Sequence, residues 1–321
     1  MLITIPPRAY LNDIERFLRL VEDDGEARLR FRLHDGLFSV HPVVLTMIAA
    51  IGKASAAEGR RVLLEERTVN SSTRYLQRMG LFDHMGIDAE IPVTGHEPAG
   101  RFIPLRRVQD NAQLNDFIRD FVPLLHMAPQ DADAVKYVLF ELLRNVLEHS
   151  GSEQGAFVAA QIARRDKRLL VGVADAGVGI RKSISRSHRA DTDLDAISLA
   201  LRPGITGVSP KVGGNETNGG AGLFFLKSMA TLSRHHMVVI SGTTMLKLWK
   251  QRRKAPTINA DVADDRKKWF ELPCPFPGTA VGIDLTTEEP VGFEELLKRI
   301  RDVYHIDLRK AKKVKYRPRF R

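Results

Sequence analysis

Three polar residues, Glu141, Asn145 and Glu148, recur at steps of four and three within Val135 to Ser150 (VKYVLFELLRNVLEHS). On a helix this spacing stacks a carboxylate, an amide and a carboxylate in one line. The apolar residues Val135, Val138, Leu139, Leu142 and Val146 form a core stripe beside that line. Alone, such a line is an ordinary solvated face. Downstream stands Asp175-Ala-Gly-Val-Gly-Ile180, whose glycines Gly177 and Gly179 let the backbone turn close to a flat ligand. Asp175 supplies one carboxylate, which can read one exocyclic amine. Further on, Gly219, Gly220 and Gly222 precede Leu223 and open a helix, so that bare backbone amides face an anion such as a phosphate. No GK[ST] follows, so this is not a Walker loop. A last run, Pro277-Gly-Thr-Ala-Val-Gly-Ile-Asp-Leu285, contains Thr279.

In this order the four elements resemble the N box, the two glycine boxes and the closing Gly-Thr strand of the gyrase, heat-shock chaperone, histidine kinase and mismatch-repair (GHKL) ATPase superfamily. The resemblance covers Asp110 to Leu285 and implies a Bergerat-type ATP-binding fold, a two-layer α/β sandwich. It implies that Asp175 accepts a hydrogen bond from the adenine amino group, with Thr279 supporting that contact. It also implies that Asn145 ligates magnesium, which needs few protein ligands because it keeps waters and takes oxygens from the nucleotide. Lys211, in the Pro203 to Asn218 lid, could reach the terminal phosphate. Glu141, one turn before Asn145, matches the glutamate with which hydrolytic members and the anti-sigma serine kinases activate water or a protein hydroxyl. Many sensor histidine kinases carry asparagine there. Glu148 and His149 read equally as support for the site or as surface.

The elements that must position these residues alternate between strand and helix along the chain, which predicts an α/β class. Residues 1–86 read as a small α/β domain with a buried-face helix over His41 to Ala57 and a helix capped at Asn70 or Ser71. They distantly resemble STAS (sulfate transporter and anti-sigma antagonist) domains, in LHDGLFSVHPVVLTMIAAIGKASAAEGRRVLL and YLQRMGLFDHMG. Ser39 is the nearest counterpart of the serine phosphorylated in antagonist members, although Phe38 stands where an acid is usual. Residues 87–108, rich in Pro, Gly and charge at Ile87 to Phe102, are expected to be a linker. Residues 109–305 are expected to form the ATP-binding domain that the GHKL resemblance implies, with antiparallel strands over Gly155 to Ala163 and Leu169 to Ala174 in a sheet covered by helices on one face. Strands over Val238 to Trp249 and Thr279 to Leu285 flank a charged insertion, Lys250 to Lys268. A final helix spans Phe293 to Tyr304, and 306–321 form a basic tail.

The net charge of +10 is a property of that tail, because Arg309 to Arg321 holds eight bases and no acid, leaving +2 elsewhere. Such a run suits nucleic acid or another polyanion, or a solvated terminus. Cys274, the single cysteine, is flanked by Pro273 and Pro275 and is expected in a turn. No stretch has the length of a membrane span and the N-terminus lacks a signal peptide pattern, so the expected location is cytoplasmic. The expected function is a magnesium- and ATP-dependent ATPase or protein serine/threonine kinase in a regulatory partner switch. The alternatives are a non-catalytic ATP-gated binding module and a nucleic-acid-associated ATPase. Expected partners are a regulatory protein and a polyanion at 309–321, with a homodimer left open.

Overall fold

The computed structural model describes every residue except 93–100, 122, 124–125, 127–128, 208–221, 251–255, 287–292 and 316–321. The first part runs β1 (Leu2–Thr4), β2 (Arg8–Ala9), α1 (Glu15–Leu18), β3 (Val21–Glu22), β4 (Arg28–Arg32), β5 (Ser39–Val40), α2 (Pro42–Ala57), β6 (Arg61–Leu64), α3 (Ser71–Arg78) and α4 (Leu81–Met85). The second begins β7 (Phe102–Val108), α5 (Asn111–Phe121), α6 (Pro129–His149), β8 (Ala156–Ala163) and β9 (Arg168–Ala174). It continues α7 (Gly179–Ile184), α8 (Asp193–Ala200), α9 (Gly222–Leu232), β10 (Met237–Leu248), β11 (Lys267–Thr286) and α10 (Phe293–Lys315). The class is α/β. A small sheet has the order β3-β1-β4-β6, and a larger antiparallel one the order β10-β11-β9-β8-β7.

Strand side chains alternate between the faces of a sheet, and both faces of the larger sheet are apolar. Val158, Ala160, Val171, Val173, Val239, Val281 and Ile283 join the core formed with α6, α9 and α10. Their neighbours Phe157, Ala159, Ala174, Val238, Ile240 and Ala280 join the core of the first 92 residues. The expectation of helices on one face is therefore corrected: the N-terminal part covers the other face, with α2 lying on β8 and β9.

Two glycines make room for α2. Gly172 of β9 and Gly282 of β11 are partners in register. A Cβ on Gly172 would lie 2.2 Å from the Val43 backbone nitrogen, and one on Gly282 would lie 2.8 Å from Leu11 and 3.0 Å from Val43 side-chain carbons. Together they form a dimple that seats the first turn of α2. That turn is fixed by Pro42 at its start and by His41, whose Nδ1 accepts the Val43 N–H. The other ring nitrogen of His41 must then carry the proton, and Nε2 donates to Asp284 Oδ1 at 3.1 Å, where both residues are buried. Arg168 donates to the second Asp284 oxygen at 2.8 Å. On β10, buried Lys247 donates to Glu15 and to the Asn12 carbonyl.

Several expected boundaries move. Residues 102–108 of the expected linker are β7, the sheet edge, with an irregularity between Ile103 and Arg106 that accommodates Pro104. The helix expected from its cap at Asn70 or Ser71 is capped by Asn70 and stops at Arg78, because Gly80 turns left-handed (φ 77°) and α4 starts anew. Cys274 lies buried in β11, not in a turn: Leu272, Cys274 and Phe276 face inward while the prolines between them face out. The final helix runs past Tyr304 to Lys315, since Ala, Lys and Arg are good helix formers.

Gly172→Ala places a methyl group against main chain that cannot swing away, so it is expected to lower unfolding stability by about 3 kcal/mol, measured by urea denaturation. A loss below about 0.5 kcal/mol would contradict this close approach.

Candidate functional site

Segments far apart in sequence meet at one end of the larger sheet, on the face away from α2. The Asp175-Ala-Gly-Val-Gly turn leaves β9 and is held on two sides. The Asp175 N–H donates to the Thr279 carbonyl at 2.9 Å, and the Val178 N–H donates to the Ser150 carbonyl at the end of α6 at 2.7 Å. Only glycine fits at two points: a Cβ on Gly177 would lie 2.2 Å from the Ser150 oxygen, and one on Gly278 2.3 Å from the Asp175 oxygen. Gly278 also has φ 96°. Ser241 closes the arrangement by accepting the Ile180 N–H at 2.9 Å and donating to the Gly278 carbonyl at 2.8 Å.

Asp175 is 1% exposed, and its Oδ1 accepts the Gly177 N–H at 2.7 Å. Burial pushes its pKa up to about 7, against the opposing pull of the Gly177 and Thr279 N–H groups. The carboxyl group lines a cavity whose walls are apolar: Leu142 and Val146 of α6, Val173 of β9, Ile180 and Ile184 of α7, Ile205, and Val281 of β11. Asn145, Gly179, Gly222, Leu223 and Thr279 line the same cavity.

At its other end α6 meets the first turn of α9. A Cβ on Gly222 would lie 2.7 Å from Glu141 Oε2 and 3.1 Å from Asn145 Nδ2, so this glycine lets the two helices touch. The Asn145 amide nitrogen is buried and has no hydrogen-bond partner among the described residues. Glu141 is buried; burial raises its pKa, and Arg144, with NH2 3.5 Å from Glu141 Oε2, lowers it. Arg144 Nε lies 3.5 Å from Glu148. Glu148 is exposed, whereas His149 lines the cavity with its pKa lowered by burial.

Of the site residues expected from sequence, Asn145, Asp175, Gly179, Gly222, Leu223 and Thr279 share one cavity, while Gly177 shapes its turn and Glu141 abuts Gly222. Lys211, Gly219 and Gly220 lie outside the described residues. Sequence reasoning missed Arg144, Ser241 and the Ile205–Thr206–Gly207 wall. Arg144 was findable from its place between Glu141 and Asn145; Ser241 carries no local signal, because only the fold brings it to Gly278. Ser39 is exposed in β5, just before α2.

Chemically, this is a slot for a flat apolar-faced group bearing a hydrogen-bond donor, continued by a helix N-terminus and an amide suited to an anion and its counter-cation. Among the described residues no group of three His, Cys, Asp or Glu side chains could hold a metal ion. Among them also, no helix is long and apolar enough to cross a membrane. The chain matches no protein-family model, and no curated protein matches it significantly.

The raised carboxyl of Asp175 has a stability consequence. Between the ordinary aspartate value of 3.8 and about 7, the folded state holds a proton that the unfolded chain releases, so stability falls as pH rises through that window. Asp175→Asn removes this contribution, with a ceiling of ~4 kcal/mol. Thermal melts of the ligand-free protein should show a smaller decline from pH 5 to pH 8 in the variant than in wild type. Parallel declines would show that Asp175 is not held protonated.

Proposed function

We propose that the chain is a magnesium-dependent, ATP-binding protein of the histidine kinase-like (GHKL) type, acting as an ATPase or protein serine/threonine kinase in a regulatory partner switch. The larger sheet with α6, α7 and α9 is then a Bergerat-type layer, and the first 86 residues are a STAS-like unit. The observation that carries this reading is the meeting of Asn145, Asp175, Gly179, Gly222 and Thr279, from four separate segments, around one apolar slot. A bound amino group favours the ionised form of Asp175, and that carboxylate selects adenine over guanine, because a carbonyl facing it would leave acceptor against acceptor. The apolar walls suit the faces of the base. The first turn of α9 offers its N–H groups to the phosphates.

An Asn145 amide nitrogen with no partner among the described residues, and the absence of a Cβ at Gly222, fit a magnesium-bound triphosphate at that end. Asn145 would hold the ion through its side-chain oxygen, and the bound ion supplies charge neutralisation of the phosphates. Glu141 is the proton acceptor in this scheme. Burial raises its basicity, and neighbouring Arg144 favours its ionised form. A water or protein hydroxyl gives its proton to Glu141 as its oxygen bonds to the γ-phosphorus, and the bond to the β-phosphate oxygen breaks to release ADP. Residual charge on the leaving phosphate oxygen is met by the α9 amides.

Magnesium and γ-labelled ATP, followed as free phosphate and as label on protein, test the proposal. Glu141→Ala is expected to lower turnover by about 10²–10⁴-fold while ATP affinity stays within a few-fold. Asp175→Asn should weaken ATP binding by about tenfold or more. Absence of ATP binding by the wild type would overturn the reading. Binding without turnover would leave only the passive, ATP-gated module.

A further inference from the structure

α10 has two halves of different character. Through Leu308 it is an ordinary packed helix: Leu296, Leu297, Ile300 and Tyr304 are buried. Its rings touch both site helices, Phe293 against Tyr137 of α6 at 5.9 Å and Tyr304 against Phe224 and Phe225 of α9 at 6.2 and 6.0 Å. Beyond Leu308 the helix continues to Lys315 with no apolar residue except Ala311 and Val314. Five of those last seven residues are basic, namely Arg309, Lys310, Lys312, Lys313 and Lys315.

On the side of α10 away from the core, Lys298, Arg301, His305 and Arg309 are exposed, and with Lys312 they follow one another at steps of three, four, four and three. That spacing puts them in one row about 21 Å long. The acids Glu294 and Glu295 are confined to the first turn, exposed Asp302 stands beside the row between Lys298 and His305, and Asp307 lies off it. Like charges three and four apart oppose helix formation, so a helix with this sequence gains stability from an anionic partner.

We propose that the outer face and basic end of α10 form a docking surface for the phosphate backbone of duplex DNA. The packing favours this occupant over a membrane, because a surface-bound helix needs a free apolar face opposite its bases, and that face of α10, with Leu296, Leu297, Ile300 and Tyr304, is buried against the core. It favours DNA over duplex RNA because a helix of about 10–12 Å diameter matches the major groove of B-DNA, about 12 Å wide, and not the deep, narrow groove of A-form RNA. Contacts are to phosphates, so binding is independent of base sequence and steeply dependent on salt. The inference stands apart from the nucleotide reading of the cavity.

Fluorescence anisotropy of a labelled 20-base-pair DNA duplex with the full chain, between 50 and 200 mM salt, provides the test. Two variants with equal loss of charge are compared. One carries Lys298→Gln, Arg301→Gln, Arg309→Gln and Lys312→Gln. The other carries Arg28→Gln, Arg61→Gln, Arg74→Gln and Arg165→Gln, all at exposed positions elsewhere. The first is expected to bind at least tenfold more weakly, with its log–log salt slope shallower by about 3, while the second stays within about threefold of wild type. Equal losses in both variants would reduce the effect to net charge and overturn the proposal. So would failure of the wild type to bind at 50 mM salt, or tighter binding to duplex RNA or to phosphatidylserine vesicles than to DNA.

Discussion

A β-sheet whose strands are apolar on both faces cannot leave either face to water, and this requirement governs the arrangement of the whole chain. On one face the covering helices α6, α9 and α10 come from the second part of the sequence. On the other the cover is the N-terminal part, whose helix α2 is buried along most of its length. Each strand of the sheet centre therefore contributes to two cores at once: Val173 lines the cavity, while Gly172, one residue before it, receives α2. The dimple at Gly172 and Gly282 gives this contact its register, since a single Cβ at Gly172 would push Val43 outward.

Polar ties add direction to that packing. His41, Asp284 and Arg168 are linked at 3.1 and 2.8 Å, and Lys247 reaches Glu15. Buried charge pairs contribute little net stability against an apolar alternative, but losing one partner is costly because the other is left uncompensated. Their effect is to favour one placement of α2 over alternatives shifted along the sheet. The cavity uses buried polarity differently: Asp175 is kept from water on every side except the one lining the cavity, and its raised pKa reflects the cost of that isolation. Glycine at 177, 222 and 278 serves the same end by allowing main chain and side chains closer than any Cβ would permit.

The candidate site was legible in the sequence where local spacing and chemistry coincide. Glu141 and Asn145 one turn apart, and Asp175 before two glycines, needed only the periodicity of a helix and the end of a strand. The association of those motifs in space was legible only through their order. The double cover of the sheet was not. Gly172 and Gly282 look like turn-prone or ligand-facing glycines in a linear reading, and nothing local indicates that their partner is Val43, more than a hundred residues away. β7 was hidden by the Pro, Gly and charge content of the preceding stretch, Ile87 to Phe102, and its own Pro104 is tolerated because the strand lies at the sheet edge. The tail was read from its charge, while its helical continuation follows from the propensity of Ala, Lys and Arg once α10 has been nucleated by packing.

The shared sheet also limits how the two parts can be separated. A fragment beginning at β7 would retain the cavity but expose Phe157, Ala159, Val238 and Ile240, a contiguous apolar patch of the kind that leads to aggregation. A fragment ending after α4 would leave α2 bare in the same way. Neither part can be exchanged for an unrelated module as a bead on a string can. Any replacement that kept the larger sheet would need a helix shaped for its glycine dimple, so the two parts act as one unit of folding.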